Sequence, residues 1–160
     1  DLSVKLTRVQ NKALTGMASM GESRVILAKP QTYMNLSGEA TSGLVRFYKV
    51  PLSNLMVIND DIDLPFGVLR LRPGGGSAGQ KGIQSIIDRL GSQDFPRMRF
   101  GIGRPAGSKA GAGYVLKNFN AAEETELPFL IDQAVAAAKL FVADGLDAAM
   151  NKYNGPQLGE

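Results

Sequence analysis

Hydrophobic and polar positions divide the middle of the chain into elements separated by turns. Leu55 to Ile58 is an apolar run, which predicts a buried strand. Val68 to Arg72 alternates apolar and basic residues, which predicts a half-buried strand. Beyond a glycine-rich loop, apolar residues recur at helical spacing at Ile83, Ile86, Ile87 and Leu90. The predicted order is therefore strand, turn, strand, loop and helix.

The first part of the chain is less regular. Residues 4–18 mix apolar and polar positions and predict a strand or a hairpin, and Arg24 to Ala28 predicts a short strand. Pro30 to Asn35 is predicted to be a loop. Ser37 is the expected N-cap of the helix that follows.

The last part predicts one more strand and two helices. Residues 96–103 predict a strand with basic and apolar side chains on opposite faces. Asn120 to Glu123 is close to a capping box and begins a helix predicted to end near residue 143, and residues 146–153 predict a shorter one. Alternating strands and helices indicate an α/β fold. We expect a single domain over residues 1–160, with a mixed, largely parallel sheet sandwiched by helices.

Composition excludes several kinds of protein and site. The chain has 160 residues, and no apolar run approaches the roughly 20 residues that a transmembrane helix needs. It contains neither cysteine nor histidine, which excludes disulfides and removes the usual ligands of zinc and the usual general base near neutral pH. No metal, cofactor or membrane association is expected. Asp1 is not an initiator methionine, so we expect a fragment or a processed form.

Charge is distributed unevenly along the chain. Residues 67–117 contain nine lysines and arginines against two acidic residues, whereas residues 118–160 contain seven acidic residues against two lysines. A basic middle region favours an anionic partner, with nucleic acid first. A solvated basic face without a partner explains the same counts, so both interpretations stay open.

The glycine loop from Gly74 to Gly82 suggests phosphate binding. It is not a Walker A loop, because Gln80 separates Gly79 from Lys81 and no Ser or Thr follows that lysine. What remains is a loop between a strand and a helix, where free N–H groups and Lys81 favour an anion. The alternative is a tight structural turn.

Polar residues at two further places are candidates for chemistry. Asp60, Asp61 and Asp63 follow the predicted strand and suit a divalent cation, acid–base chemistry or simple capping of the turn. Asn35 precedes a helix and suits donation to a carbonyl or an oxyanion, although a local cap is the common role of asparagine there.

Four motifs together resemble the bacterial-type peptidyl-tRNA hydrolases, most closely those of bacteria and of plant or algal organelles. The motifs are Pro30-Gln-Thr-Tyr-Met-Asn-Leu-Ser-Gly38, Asp60-Asp-Ile-Asp-Leu-Pro65, the loop from Gly74 to Gly82, and Phe95-Pro-Arg-Met-Arg-Phe-Gly-Ile-Gly-Arg-Pro105. The resemblance implies a monomeric, metal-free α/β hydrolase that cleaves the ester between a peptide and the 3′ end of tRNA. It also implies a soluble protein of the bacterial cytoplasm, a chloroplast or a mitochondrion.

The resemblance assigns roles to residues of this chain. Met34 and Asn35 would bind substrate, together with Gln80 and Lys81 in the glycine loop. Asp60 would orient the catalytic histidine of the family. The positions that would face tRNA are basic, and they are Arg70, Arg72 and Arg99. The segments that would gate the crevice are the loop 104–114 and the start of the helix 121–143.

The sequence departs from the family in two respects. The family's first strand and its Thr-Arg-His-Asn motif, which supplies the general base, are expected to precede Asp1. Their absence should expose an edge of the sheet. Gln80 and Lys81 stand where the family has a second histidine and an asparagine, and the lysine puts a cation where an amide would bind substrate.

Four hypotheses therefore remain. The chain is a piece of an active hydrolase, or an inactive relative that binds RNA in an organellar ribosome or an intron-splicing complex. As a third hypothesis, it keeps only the scaffold and binds protein. A phosphatase acting on a phosphorylated small molecule would instead need a metal at Asp60, Asp61 and Asp63.

Overall fold

The computed structural model describes residues 3–105 and 112–158. Seven strands lie within them: β1 (Arg8–Gln10), β2 (Ala13–Met20), β3 (Ser23–Pro30), β4 (Val57–Asp61), β5 (Val68–Arg72), β6 (Arg97–Gly101) and β7 (Gly155–Pro156). The same residues form five α-helices: α1 (Ser37–Tyr48), α2 (Lys81–Leu90), α3 (Ala112–Val115), α4 (Ala121–Asp144) and α5 (Leu146–Tyr153). No helix in this described part is long and apolar enough to cross a bilayer.

The chain divides into two compact units. Residues 1–55 and 73–96 form the first unit, and residues 56–72 and 97–160 form the second unit. Each has a sheet and helices of its own. The prediction of a single domain over residues 1–160 stays a prediction.

The first unit contains an antiparallel sheet in the order β1-β2-β3. The turn between β1 and β2 consists of Asn11 and Lys12, which both have positive φ, and Gly21 supplies positive φ in the turn between β2 and β3. Two-residue turns of this kind match the twist of the strands they join. The strand or hairpin predicted for residues 4–18 is therefore confirmed, and β3 is longer than the strand predicted there.

Helices α1 and α2 of the first unit pack closely at two small residues. The backbone N–H of Gly38 donates to Ser85 Oγ at 2.9 Å. A Cβ at Gly38 would collide with the carbonyl oxygen of Ser85, so only glycine permits this approach. The predicted N-cap role of Ser37 is wrong. Leu36 is the N-cap, and Ser37 Oγ instead donates to the carbonyl oxygen of Met34 at 2.8 Å.

The second unit contains a sheet in the order β4-β6-β5-β7. Strand β4 is parallel to β6, whereas β5 is antiparallel to β6 and to β7. A mixed sheet within an α/β architecture is therefore confirmed, although β4–β6 is the one parallel pair among the described strands. The strand predicted to begin at Leu55 is present as β4, but the prediction that it is buried is wrong. Strand β4 begins at Val57 and lies at an edge of its sheet, where the Ile58 side chain is 55% exposed.

One face of the second unit's sheet carries its core. Leu69, Leu71 and Met98 are buried there and pack in one cluster with Ala137 of α4 and Tyr153 of α5. The predicted capping box begins α4, since Asn120 Oδ1 accepts from the N–H of residue 123 at 2.9 Å and the Glu123 carboxylate accepts from the N–H of residue 120 at 2.9 Å. The break at residue 145 and the short helix after it are also confirmed.

Asn154 ties the end of α5 to the sheet. Its Oδ1 accepts from the N–H of Leu71 at 2.6 Å, and its Nδ2 donates to the carbonyl oxygen of Leu71 at 3.2 Å. The side-chain amide thus pairs with β5 as a neighbouring strand would. This contact holds the middle of β5, on which two predicted site residues lie, against the helical layer.

Candidate functional site

The first unit brings the predicted substrate-binding residues Met34 and Gln80 together. Gln80 is the N-cap of α2, because its Oε1 accepts from the N–H of Ile83 at 2.8 Å. Its Nε2 lies 3.7 Å from the sulfur of Met34, which is in a 3-10 turn just before α1. The helix cap therefore fixes the orientation of Gln80 and seats Met34 against the start of α2.

Gly82 makes this contact possible, although it is not among the predicted site residues. A Cβ at position 82 would lie 2.5 Å from the sulfur of Met34 and 3.0 Å from Oε1 of Gln80. Gly82 is buried. The sequence predicts Gly82 as the end of the loop, whereas the structure places it in the first turn of α2, where glycine is otherwise unfavourable.

Asn35 and Lys81 present their side chains to solvent. Both residues are exposed, and neither side chain has a hydrogen bond or an ion pair within the described residues. Lys81 is the first residue of α2. A cation at that end of a helix is opposed by the helix dipole by about 0.3–1 kcal/mol, so Lys81 is not placed there to stabilise α2.

The beginning of the glycine loop is fixed by contacts with the backbone of Gln93. The N–H of Gly75 donates to the carbonyl oxygen of Gln93 at 3.2 Å. A Cβ at Gly74 would lie 2.8 Å from the same oxygen. The beginning of the loop is therefore a close structural contact, whereas Lys81, just after the loop, is exposed. The structural interpretation therefore holds for the beginning of the loop, and anion binding at its end stays a prediction.

The second unit separates the three aspartates. Asp61 Oδ2 accepts from Arg99 Nε at 2.5 Å, and Asp63 Oδ1 accepts from Arg104 Nε at 2.8 Å. Asp60 is half-buried on the opposite face of β4 from Asp61, and within the described part of the chain its carboxylate has no hydrogen-bond partner. No group of three or more residues able to hold a metal ion occurs in residues 3–105 and 112–158. The aspartates thus do not form the joint site that their sequence spacing suggested.

Four arginines meet on one face of the second unit's sheet. Arg70 on β5 lies opposite Arg99 on β6, and Arg72 lies opposite Arg97. Arg70 and Arg72 are exposed, whereas the Arg99 side chain is 19% exposed and paired with Asp61. Directly opposed like charges destabilise an antiparallel pair. This array therefore concentrates positive charge without a full set of carboxylates to balance it.

Arg97 is the member of the array that the predicted site did not include. It is 3% exposed. Burial, followed by the charges of Arg72 and Arg99, lowers the pKa of Arg97 from its ordinary value. The repeated pattern of arginine, apolar residue, arginine in both strands was the signal that could have found it.

The predicted gating segments are described only in part. Residues 106–111 of the loop 104–114 lie outside the described residues. Before them, Arg104 pairs with Asp63, and after them the hydroxyl of Tyr114 donates to the carbonyl oxygen of Ile102 at 3.3 Å. The start of α4 is exposed and acidic, with Glu123 and Glu124 in its first turn.

Comparison with known proteins places this arrangement in a family. The family model described as peptidyl-tRNA hydrolase matches residues 1–160. The chloroplastic peptidyl-tRNA hydrolase of Arabidopsis thaliana is 46% identical over 152 residues, which cover 94% of this chain and 53% of that protein. The peptidyl-tRNA hydrolase of Herpetosiphon aurantiacus is 53% identical over 133 residues, or 82% of this chain and 65% of the relative.

A solved structure agrees with these sequences. The crystal structure of peptidyl-tRNA hydrolase from Acinetobacter baumannii superposes with a TM-score of 0.87 at 30% identity, covering 96% of this chain and 78% of that one. The chain spans between about half and two thirds of the length of the two curated relatives above. From the match over its whole length, the chain belongs to the peptidyl-tRNA hydrolase family.

Proposed function

We propose that this protein binds tRNA and takes part in hydrolysis of the ester between a peptide and the tRNA 3′ end. The observation that carries the proposal is the arginine array of the second unit. Arg70 and Arg72 are exposed, lie opposite two further arginines, and have no ion pair with a carboxylate among the described residues. Phosphate groups would offset the repulsion between these cations, and release of counterions would drive the association.

The ester chemistry needs an electrophilic donor and an activated water. The unengaged amide of Asn35 can donate to the carbonyl oxygen of the ester as negative charge develops on it. Met34 and Gln80 would line the place where the substrate lies. Lys81 would bind the terminal phosphate groups rather than the peptide.

Asp60 is proposed to orient the general base. Unlike Asp61 and Asp63, its half-buried carboxylate has no cation paired with it in the described residues. A carboxylate in this condition can accept a hydrogen bond from an imidazole and hold its orientation. No histidine occurs among the 160 residues, so the imidazole is not supplied by the printed sequence.

The second candidate function is RNA binding without turnover, as a component of an organellar ribosome or splicing complex. Lys81 favours it. Its positive charge on the first residue of α2 would strengthen phosphate binding. By resemblance, the family has a substrate-binding asparagine at this position. The same arginine array would then serve to hold RNA.

Two measurements distinguish the candidates. Hydrolysis of a peptidyl-tRNA is assayed with this chain and with the longest product of its gene, and tRNA affinity is measured at several salt concentrations. Cleavage by the longer product supports the hydrolase, whereas salt-sensitive binding without cleavage by either supports the second candidate. In both cases the double replacement of Arg70 and Arg72 by Ala should make affinity less sensitive to salt. The negative slope of log affinity against log salt should become shallower by about 1.5. Arg24→Ala, at an exposed position of β3, is the matched control.

A further inference from the structure

A polar pocket lies within the first unit, away from Met34 and Gln80 along α1 and α2. It has a volume of about 420 Å³ and is lined by the turn between β1 and β2, by α1 and by the end of α2. Its charged lining residues are Lys12, Glu39, Arg46 and Arg89. Three cations therefore surround one carboxylate, and the lining has a net positive charge.

Glu39 organises two of these cations. Its carboxylate accepts from Lys12 Nζ at 2.5 Å and from Arg89 Nη2 at 3.2 Å. These partners, Lys12 first, lower the pKa of Glu39, so the carboxylate stays ionised near neutral pH. Each cation uses only one N–H on Glu39, and the remaining donors are available to a ligand.

Arg46 is the third cation of the pocket, and it has no carboxylate partner among the described residues. It is exposed in the last turn of α1, and its guanidinium makes no ion pair within the part of the chain that the structure describes. Among the described residues, none of its guanidinium donors has a partner. The end of a helix favours a cation, which accounts for a positive charge at this position but not for the convergence of three cations on one pocket.

The two-residue turn between β1 and β2 brings Lys12 to the pocket. Asn11 and Lys12 have φ angles of 47° and 58°, in the left-handed region that favours glycine. The turn also approaches α1 closely, because a Cβ at Gly43 would lie 2.8 Å from Oδ1 of Asn11. Lys12 thus occupies a position that glycine would adopt with less strain, and its ammonium group pairs with Glu39.

We propose that this pocket binds a phosphate group of the RNA backbone, as a contact of the first unit beyond the arginine array of the second unit. The proposal rests on the proposed function, which supplies the RNA. Guanidinium groups suit phosphate because their donors match its oxygens in pairs. The pocket has no aromatic lining residue on which a base could stack, so a backbone phosphate fits it better than a nucleotide.

The test measures tRNA affinity for three variants of Arg46 at several salt concentrations. Arg46→Gln should weaken binding. It should also make the negative slope of log affinity against log salt shallower by about 0.7–0.9, as expected for one lost phosphate contact. Arg46→Glu should weaken it further. Arg46→Lys keeps the charge but lacks the paired donors of a guanidinium, so its affinity should lie between those of the parent and Arg46→Gln. Arg24→Gln is the control, and thermal unfolding verifies that each variant is folded.

Two results would overturn the inference. The first is unchanged tRNA affinity in Arg46→Gln and Arg46→Glu. If the double variant of Arg70 and Arg72 nevertheless binds tRNA more weakly than the parent, the proposed function is still supported and only the inference about the pocket fails. The second is tight, saturable binding of inorganic phosphate to the same pocket, observed by NMR of the arginine side chains, with no competition from tRNA. The pocket would then serve a free anion instead of the RNA backbone.

Discussion

Asp61 and Arg99 form an ion pair between neighbouring strands, with Nε of the arginine 2.5 Å from Oδ2 of the aspartate. Their side chains are 12% and 19% exposed, respectively. Asp61 Oδ1 also accepts from the N–H of Asp63 at 2.8 Å, so both oxygens of the carboxylate are engaged. One aspartate of the predicted acidic cluster is therefore a structural partner of a predicted RNA-binding arginine.

Replacing Asp61 by Asn should destabilise the protein and release Arg99. Loss of the paired charge leaves a largely buried guanidinium, and we expect a loss of about 1–3 kcal/mol in the free energy of unfolding. The released cation should raise tRNA affinity at low salt. Chemical denaturation and binding assays measure the two effects. Asp63→Asn, whose pair with Arg104 is half exposed, is the control and should cost less than about 1 kcal/mol. Unchanged tRNA affinity in a destabilised Asp61→Asn would remove Arg99 from the RNA contact.

Replacing Lys81 by Asn distinguishes the two candidate functions. The change removes a cation from the start of α2 and introduces the amide expected in this family. If the protein is a hydrolase, the change made in the longest gene product should raise kcat/KM and slightly weaken tRNA binding. If it only binds RNA, we expect weaker tRNA binding and no cleavage. The negative slope of log affinity against log salt should then become shallower by about 0.7. An affinity equal to that of the parent would show that Lys81 does not contact phosphate.

Gly38→Ala should separate α1 from α2. The new methyl group would collide with the backbone of Ser85, which cannot move aside as a flexible side chain can. We expect a loss of about 1–3 kcal/mol in stability. Gly76→Ala is the control, because a Cβ there meets no atom within 4 Å. Equal unfolding free energies for the two variants would contradict the close approach of the helices.

Glu39 should contribute to the acid sensitivity of the protein. The hydrogen bond and charge of Lys12 lower the pKa of Glu39 from its ordinary value in the folded state. A group with a lowered folded pKa adds stability that is present above its unfolded pKa and is lost as pH falls through the folded pKa. Glu39→Gln should therefore be less stable than the parent at pH 7, and the difference should shrink as the pH falls below the ordinary glutamate pKa of about 4.3. Denaturant unfolding at pH 7 and at a pH below the glutamate pKa measures the difference in unfolding free energy. Glu22→Gln, at an exposed position, is the control. A difference that stays constant with pH would exclude the ion pair as its cause.

Local sequence determined the elements whose signals lie within a few residues. The capping box of Asn120 and Glu123 begins α4, residue 145 ends it, and the alternation in Val68 to Arg72 places two arginines on one face of β5. These outcomes depend on backbone hydrogen bonds and side-chain periodicity, which act between near neighbours. The four motifs likewise identified the family without any coordinates.

Tertiary structure decided what each polar residue contacts. Ser37 looked like a helix cap, but its hydroxyl bonds to the turn before it. Ile58 looked buried, but its strand lies at an edge of a sheet. The pairing of Asp61 with Arg99 and the meeting of Lys12, Glu39 and Arg89 join residues far apart in the chain. Such contacts depend on strand order and helix packing, which local patterns do not encode. The sequence by itself therefore determined the elements and the family, and the fold determined which charges are paired and which are left for a ligand.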